Sequence, residues 1–204
     1  MVRRGNSLRG RHGFTLAEII VAVAIVGLLI AVVLPVVTGR LALEHASAIV
    51  SEMQNLQDAV RLFYRDVGRY PARLDYLNVL PTSGVADACG TAISAQNQAK
   101  FRGPYINREI VMVNLGGGIT KYPLATDDFV ESVITRTTIT DPVTAGTQQV
   151  LQLLVYGPDQ SITRMVDSTV DGIIDRNNGI VRYAAIQPTD NTILWTIPIK
   201  NGAC

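Results

Sequence analysis

Twenty-four consecutive residues, Phe14 to Val37, carry a single charge, Glu18. About 20 such residues are enough to cross the hydrocarbon core of a bilayer, so this stretch is a transmembrane helix candidate. Four arginines (Arg3, Arg4, Arg9 and Arg11) precede it and only Arg40 follows closely. By the positive-inside bias the N-terminus is cytoplasmic and the bulk of the chain is exported. A carboxylate at the centre of such a helix costs roughly 2.5 to 3.5 kcal/mol on insertion scales, which makes Glu18 a functional rather than a neutral feature.

The chain has 204 residues, room for one ordinary domain beside the apolar run. Its formal net charge of +1 conceals an asymmetry. From Phe14 onward 14 basic residues face 17 acidic ones, a net of −3. A mildly acidic body lacks the basic field that gathers nucleic acid. Three fates compete for the N-terminus. A secretory signal needs a small-x-small cleavage site after its apolar core, and no Ala-x-Ala stands near Val37 or Thr38. Twin-arginine export would use Arg3 and Arg4, but the residues after them lack an immediately following apolar segment. The third fate is a cut before the apolar run.

Gly13-Phe14-Thr15-Leu16-Ala17-Glu18, behind a basic leader and ahead of about twenty apolar residues, resembles the prepilin signal of type IV pilins and type II secretion pseudopilins. The resemblance implies cleavage between Gly13 and Phe14 by a membrane-embedded aspartyl prepilin peptidase, methylation of the new Phe14 amine, and retention of the apolar helix. Gly13 suits a close approach of the backbone to a protease cleft. It also gives Glu18 an assembly role. Its carboxylate pairs with the positive N-terminus of a neighbouring subunit or, alternatively, with Phe14 of its own chain, four residues away. Gly27 and Pro35 match positions where such helices carry Gly and Pro for flexibility; both are also simply commoner in membrane helices.

Past Thr38, Ala42, Ala46, Ile49, Met53, Leu56, Val60, Phe63 and Val67 recur at spacings of three and four, one helical seam. A single helix from Phe14 to Val67 would be roughly 80 Å long, with Gly68 closing it. The seam packs on the protein's own sheet or forms a homodimeric coiled coil. The run Leu62 to Pro71 resembles the helix end of the same families, where a Gly-x-Tyr-Pro turn enters the head. Beyond it, Leu74–Leu80 reads as a short helical piece and 81–99 as a loop holding Cys89. A hairpin is predicted from Glu109–Leu115 and Ile119–Tyr122 around a glycine turn. Further strands are predicted at Val150–Tyr156, Gly179–Ala185 and Ile193–Ile199, with Phe129–Ile134 a strand or a helical turn. The expected class is α+β: a type IV pilin-like fold, with a long helix on a small antiparallel sheet. Its parts are a leader over 1–13, an apolar helix over 14–37, its amphipathic continuation over 38–68 and a head over 69–204.

Two cysteines, Cys89 and Cys204, both on the exported side, favour a disulfide that would pin the C-terminus, worth about 4 to 5 kcal/mol in the chain-entropy model. Asp167, Asp171, Asp175 and Asn177 gather oxygens of the kind calcium prefers. Tyr156-Gly157-Pro158-Asp159 resembles the lead-in to the calcium site of major secretion pseudopilins; a solvated turn is the alternative. Catalysis is not expected. The only histidines are His12 and His45, and no Ser/Cys-His arrangement can form in the head. Trp195 reads as a core or surface aromatic.

The resemblance therefore implies a filament subunit without a cofactor. Its partners would be copies of itself, other pilins or pseudopilins, the prepilin peptidase and an inner-membrane assembly platform. It would be anchored in a bacterial inner membrane, head in the periplasm or outside. Within that class a type II secretion pseudopilin leads over an adhesion or motility pilin. A DNA-uptake competence pilin would need a basic aromatic tip, for which Arg102, Tyr105 and Arg108 are the nearest candidates. A membrane-anchored enzyme is the remaining class.

Overall fold

A computed structural model describes residues 14–107, 121–124, 126, 128–140, 147–183 and 192–199. The first element is a helix, α1 (Leu16–Val67), which continues through Pro35. There the Thr38 hydroxyl donates to the Leu34 and Pro35 carbonyls, at 3.2 and 3.1 Å. The helix ends where the sequence requires it. Gly68 takes a left-handed φ of 76° and its N–H donates to the Tyr64 carbonyl. A side chain there would be strained, so the position selects glycine.

The chain divides into two compact units, between Leu41 and Ala42. In the first, every described residue is exposed. It contains the helical stretch long and apolar enough, by length and composition, to cross a membrane.

The second unit has a core of its own. Ala46, Ile49, Met53, Leu56, Val60, Phe63 and Val67 are buried, as the seam predicts, and Val50 and Ala59 join them. The seam packs within one chain, in a single cluster with strand residues, which answers the choice between an intramolecular sheet and a coiled coil. After the helix come a 3-10 turn (Leu74–Leu77) and α2 (Ala95–Gln98). The latter interrupts the expected loop. Ser94 caps it, exchanging bonds with Asn97.

The sheet contains β1 (Lys121–Pro123), β2 (Phe129–Glu131), β3 (Thr135–Thr140), β4 (Thr147–Tyr156), β5 (Val181–Tyr183) and β6 (Thr192–Pro198). Its order is β1-β2-β4-β6-β5, all antiparallel, with β3 also on β4. Strand β4 is long enough to serve two partners along one edge: β3 covers its first half and β2 its end. Alternation places Leu151, Leu153 and Val155 of β4 and Ile193, Trp195 and Ile197 of β6 on the buried face. Each such side chain contributes roughly 1.5 to 3 kcal/mol of apolar burial. Trp195 is a core residue, and its indole N–H donates to Gln57 on α1 at 2.8 Å. The expected α+β class holds.

The expected strand at 109–115 and its glycine turn lie outside the described residues; β1 carries Tyr122 and pairs with β2. Two readings change. Strand β3, Thr-Arg-Thr-Thr-Ile-Thr, has β-branched residues on which no strand was predicted. The second change is α3 (Gln160–Asp171), where a loop was expected for Asp167 and Asp171. Asp159 starts it by accepting the Ile162 N–H at 2.9 Å, and Gly172 ends it at φ 76°.

Candidate functional site

The N-terminal candidates fall on the first turn of α1. Thr15 stands just before the helix and its hydroxyl accepts the Glu18 N–H at 3.2 Å. This is half of a capping box, Thr-x-x-Glu, a signal present in the sequence that pattern reading passed over. It places the Glu18 carboxylate in the first helical turn, where the unpaired N–H groups favour negative charge. Phe14 is 78% exposed and Gly13 lies outside the described residues. Among the described residues of the first unit, none buries Leu16, Ile20 or their neighbours. Gly27 has open space around its Cα.

A second cluster lies wholly within the head unit. His45 Nε2 is 2.5 Å from Asp128 Oδ2, which also accepts the Thr126 hydroxyl at 2.7 Å. Asp128 is buried, and Gly157, at φ 119°, leaves room for it: a Cβ at Gly157 would collide with its carboxylate. Asp159 caps α3 next along the chain. Its bonds from the Ser161 hydroxyl and the Ile162 N–H, aided by His45, hold its carboxyl below the usual carboxylate range. Tyr156 stacks on Phe129 and donates to Glu131 Oε2 at 3.2 Å. Burial, with that carboxylate, pushes its phenol up. The Tyr-Gly-Pro-Asp run is thus a junction of β4, α3, α1 and the turn before β2. His45 was considered in the sequence only as a possible catalyst; its partner lies 83 residues away. No local pattern announces such a pair.

The acidic segment is divided between helix and turn: Asp167 and Asp171 lie on α3, and Asp175 and Asn177 lie in the turn that follows it. Asp167 is fully buried on α3, with Asp171 one turn along. Asp167 Oδ2 accepts the Asp175 N–H at 2.8 Å. Asp171 accepts the Ile180 and Val181 N–H groups at 3.0 and 2.9 Å. Asp175 in turn accepts from the Asn177 N–H and the Asn178 side chain. Asp167 Oδ1 is buried without a hydrogen-bond partner among the described residues. Burial first, with the nearby Asp171 and Asp175 carboxylates, pushes its carboxyl up to about 6.

A calcium ion takes six to eight oxygens. Here most carboxylate oxygens face N–H donors, and among the described residues no three His, Cys, Asp or Glu side chains form a metal-holding group. As arranged, Asp167, Asp171 and Asp175 accept N–H groups of the chain that follows α3.

Cys89 is half-buried in a turn where Asp87 Oδ1 accepts both the Cys89 and Thr91 N–H groups. Cys204 lies outside the described residues, as does Arg108. Tyr105 packs edge-on against Phe63 and Phe101 and donates to Asp66 Oδ2 at 3.2 Å. Its hydroxyl also accepts the Arg102 N–H at 3.0 Å.

The prokaryotic N-terminal methylation motif matches this chain over residues 8–34. No curated protein and no solved structure matches it.

Proposed function

From the prepilin-type signal at residues 8–34, the mark of the type IV pilin-like family, we propose that the chain is a structural, non-enzymatic subunit of a pilus-like filament. The carrying observation is an exposed apolar helix that begins at a motif for processing and methylation and is continuous with the helix of a folded head. A helix with no buried side chain in its own unit needs a lipid or protein environment. Before assembly that environment is the inner membrane, with the leader cytoplasmic and the head exported. After assembly it is the helices of neighbouring subunits. Prepilin peptidase cuts at Gly13/Phe14 and methylates Phe14. Glu18, in the first turn, then meets the positive N-terminus of a neighbour. Replacement of the bilayer by other apolar helices leaves the hydrophobic term nearly unchanged, so this one charge pair sets the register.

The test is Glu18→Val. Membrane fractionation should show unchanged insertion, while sheared filaments should lose the variant. Normal incorporation would contradict the assignment.

Among finer readings, a type II secretion pseudopilin is favoured by Tyr156-Gly157-Pro158-Asp159, the resemblance that first singled out this junction. An adhesion or motility pilin is the alternative. A competence pilin is the third reading within the class. A Cys89–Cys204 bridge belongs to this proposal, and intact mass before and after reduction tests it. The acidic segment is proposed to act as a staple without calcium. Calorimetry of the full chain in detergent, with and without calcium, should give the same Tm; a rise of several degrees that Asp175→Ala abolishes would assign an ion to it.

A further inference from the structure

An imidazole is the side chain whose ordinary charge change falls between about pH 5 and 8. Of the two in this chain, His45 lies in the second unit, near its start at Ala42. Three and four residues from it on α1 stand Leu41, Ala42, Ala48 and Ile49, so its own helix offers no charge at contact spacing; Glu44 and Arg40 are the nearest charged residues along it. The acids that meet His45 come from other elements. Asp128, in the turn between β1 and β2, places Oδ2 2.5 Å from Nε2. Asp159, the cap of α3, has a carboxyl lowered first by the Ser161 hydroxyl and the Ile162 N–H and last by the charge of His45.

The two ends of the pair differ in their access to water. The Asp128 side chain is 5% exposed and that of His45 30%. A carboxylate only accepts, so Nε2 carries the hydrogen of this bond and a further proton enters the ring at Nδ1. That proton turns a single hydrogen bond into an ion pair on a buried carboxylate. Asp128 is held in place to receive it: the Thr126 hydroxyl donates to the same Oδ2, and its carboxylate packs where a Cβ on Gly157 would stand.

We propose that His45 and Asp128 form a pH-gated latch, in which the charged pair clamps the first turn of α1 in the second unit to the β1–β2 turn and loss of the proton loosens it. Ala46 is the first residue of α1 in the head's core, and Ala42 packs partly buried against it. The latch therefore sets how firmly the head holds the start of its buried stripe, more firmly in mild acid and less firmly above neutrality. It goes beyond the filament reading and does not depend on it.

The test is hydrogen exchange of the full chain in detergent, followed on peptides spanning 42–50 at about pH 6 and about pH 8, with intrinsic exchange rates divided out. Opening of this turn should be about fivefold rarer at the lower pH, the margin of a charge-assisted over a neutral hydrogen bond. In His45→Gln, whose amide can donate to Asp128 but never gains charge, the difference should vanish. Asp128→Asn, which removes the charge at the other end and keeps the shape, should flatten the profile as well. Asp167, pushed up to about 6, acts in the same direction on its own loop, so peptides from α3 should keep their pH dependence in both variants. Equal opening of 42–50 at the two pH values in the wild type, or a wild-type difference retained by either variant, would overturn the latch.

Discussion

The two compact units share α1 and use it in opposite ways. From Leu16 to Leu41 its side chains, Glu18, Thr38 and Arg40 apart, are apolar on every side and none is buried. From Ala42 to Val67 they are apolar along one stripe, and the stripe is buried against the sheet. One helix thus passes from a segment that depends on surroundings supplied by other molecules to one that carries its own core. On the proposed reading the difference separates two duties, anchorage and assembly in one unit and a fold with its own core in the other.

That separation can be broken by substitution. Phe63→Ala should remove about 3 to 5 kcal/mol of head stability, seen in urea unfolding in detergent, while membrane insertion stays intact. Loss of insertion as well would show that the two units are not independent. Gly157→Ala puts a Cβ into the Asp128 carboxylate at a φ of 119° and should cost about 1 to 3 kcal/mol by the same assay.

Asp159→Ala should cost about 1 kcal/mol at neutral pH, through loss of the α3 cap. Its sign with pH is fixed. The folded carboxyl titrates below 3.8, so its contribution is present above that value and fades as pH falls through the folded one. Wild-type and variant stabilities should therefore converge in strong acid. A constant gap would contradict the assignment. Least of all, Leu28→Ala should shift head stability by no more than about 0.5 kcal/mol, because that side chain is 70% exposed and lies outside the head's core.

Much of this was legible in the chain because it is encoded locally. The seam from Ala46 to Val67 follows from helical periodicity, the stop at Gly68 from left-handed geometry, and β4 and β6 from runs of β-branched and aromatic residues. Helix α3 was not legible. Its apolar positions, Ile162, Val166 and Val170, are thinned by polar residues, and its two acids, Asp167 and Asp171, read more naturally as loop ligands than as helix residues. The pairing of His45 with Asp128 was beyond reach for another reason: it depends on the turn before β2 being carried to α1 by the sheet. The Thr15 cap was within reach, written in the four residues from Thr15 to Glu18.

The most direct test of the account is N-terminal sequencing with intact-mass analysis of the chain recovered from membranes. The account predicts a chain that begins at Phe14 and bears one extra methyl group on its amine. A chain that begins at Met1, or one cut after Val37, would contradict it.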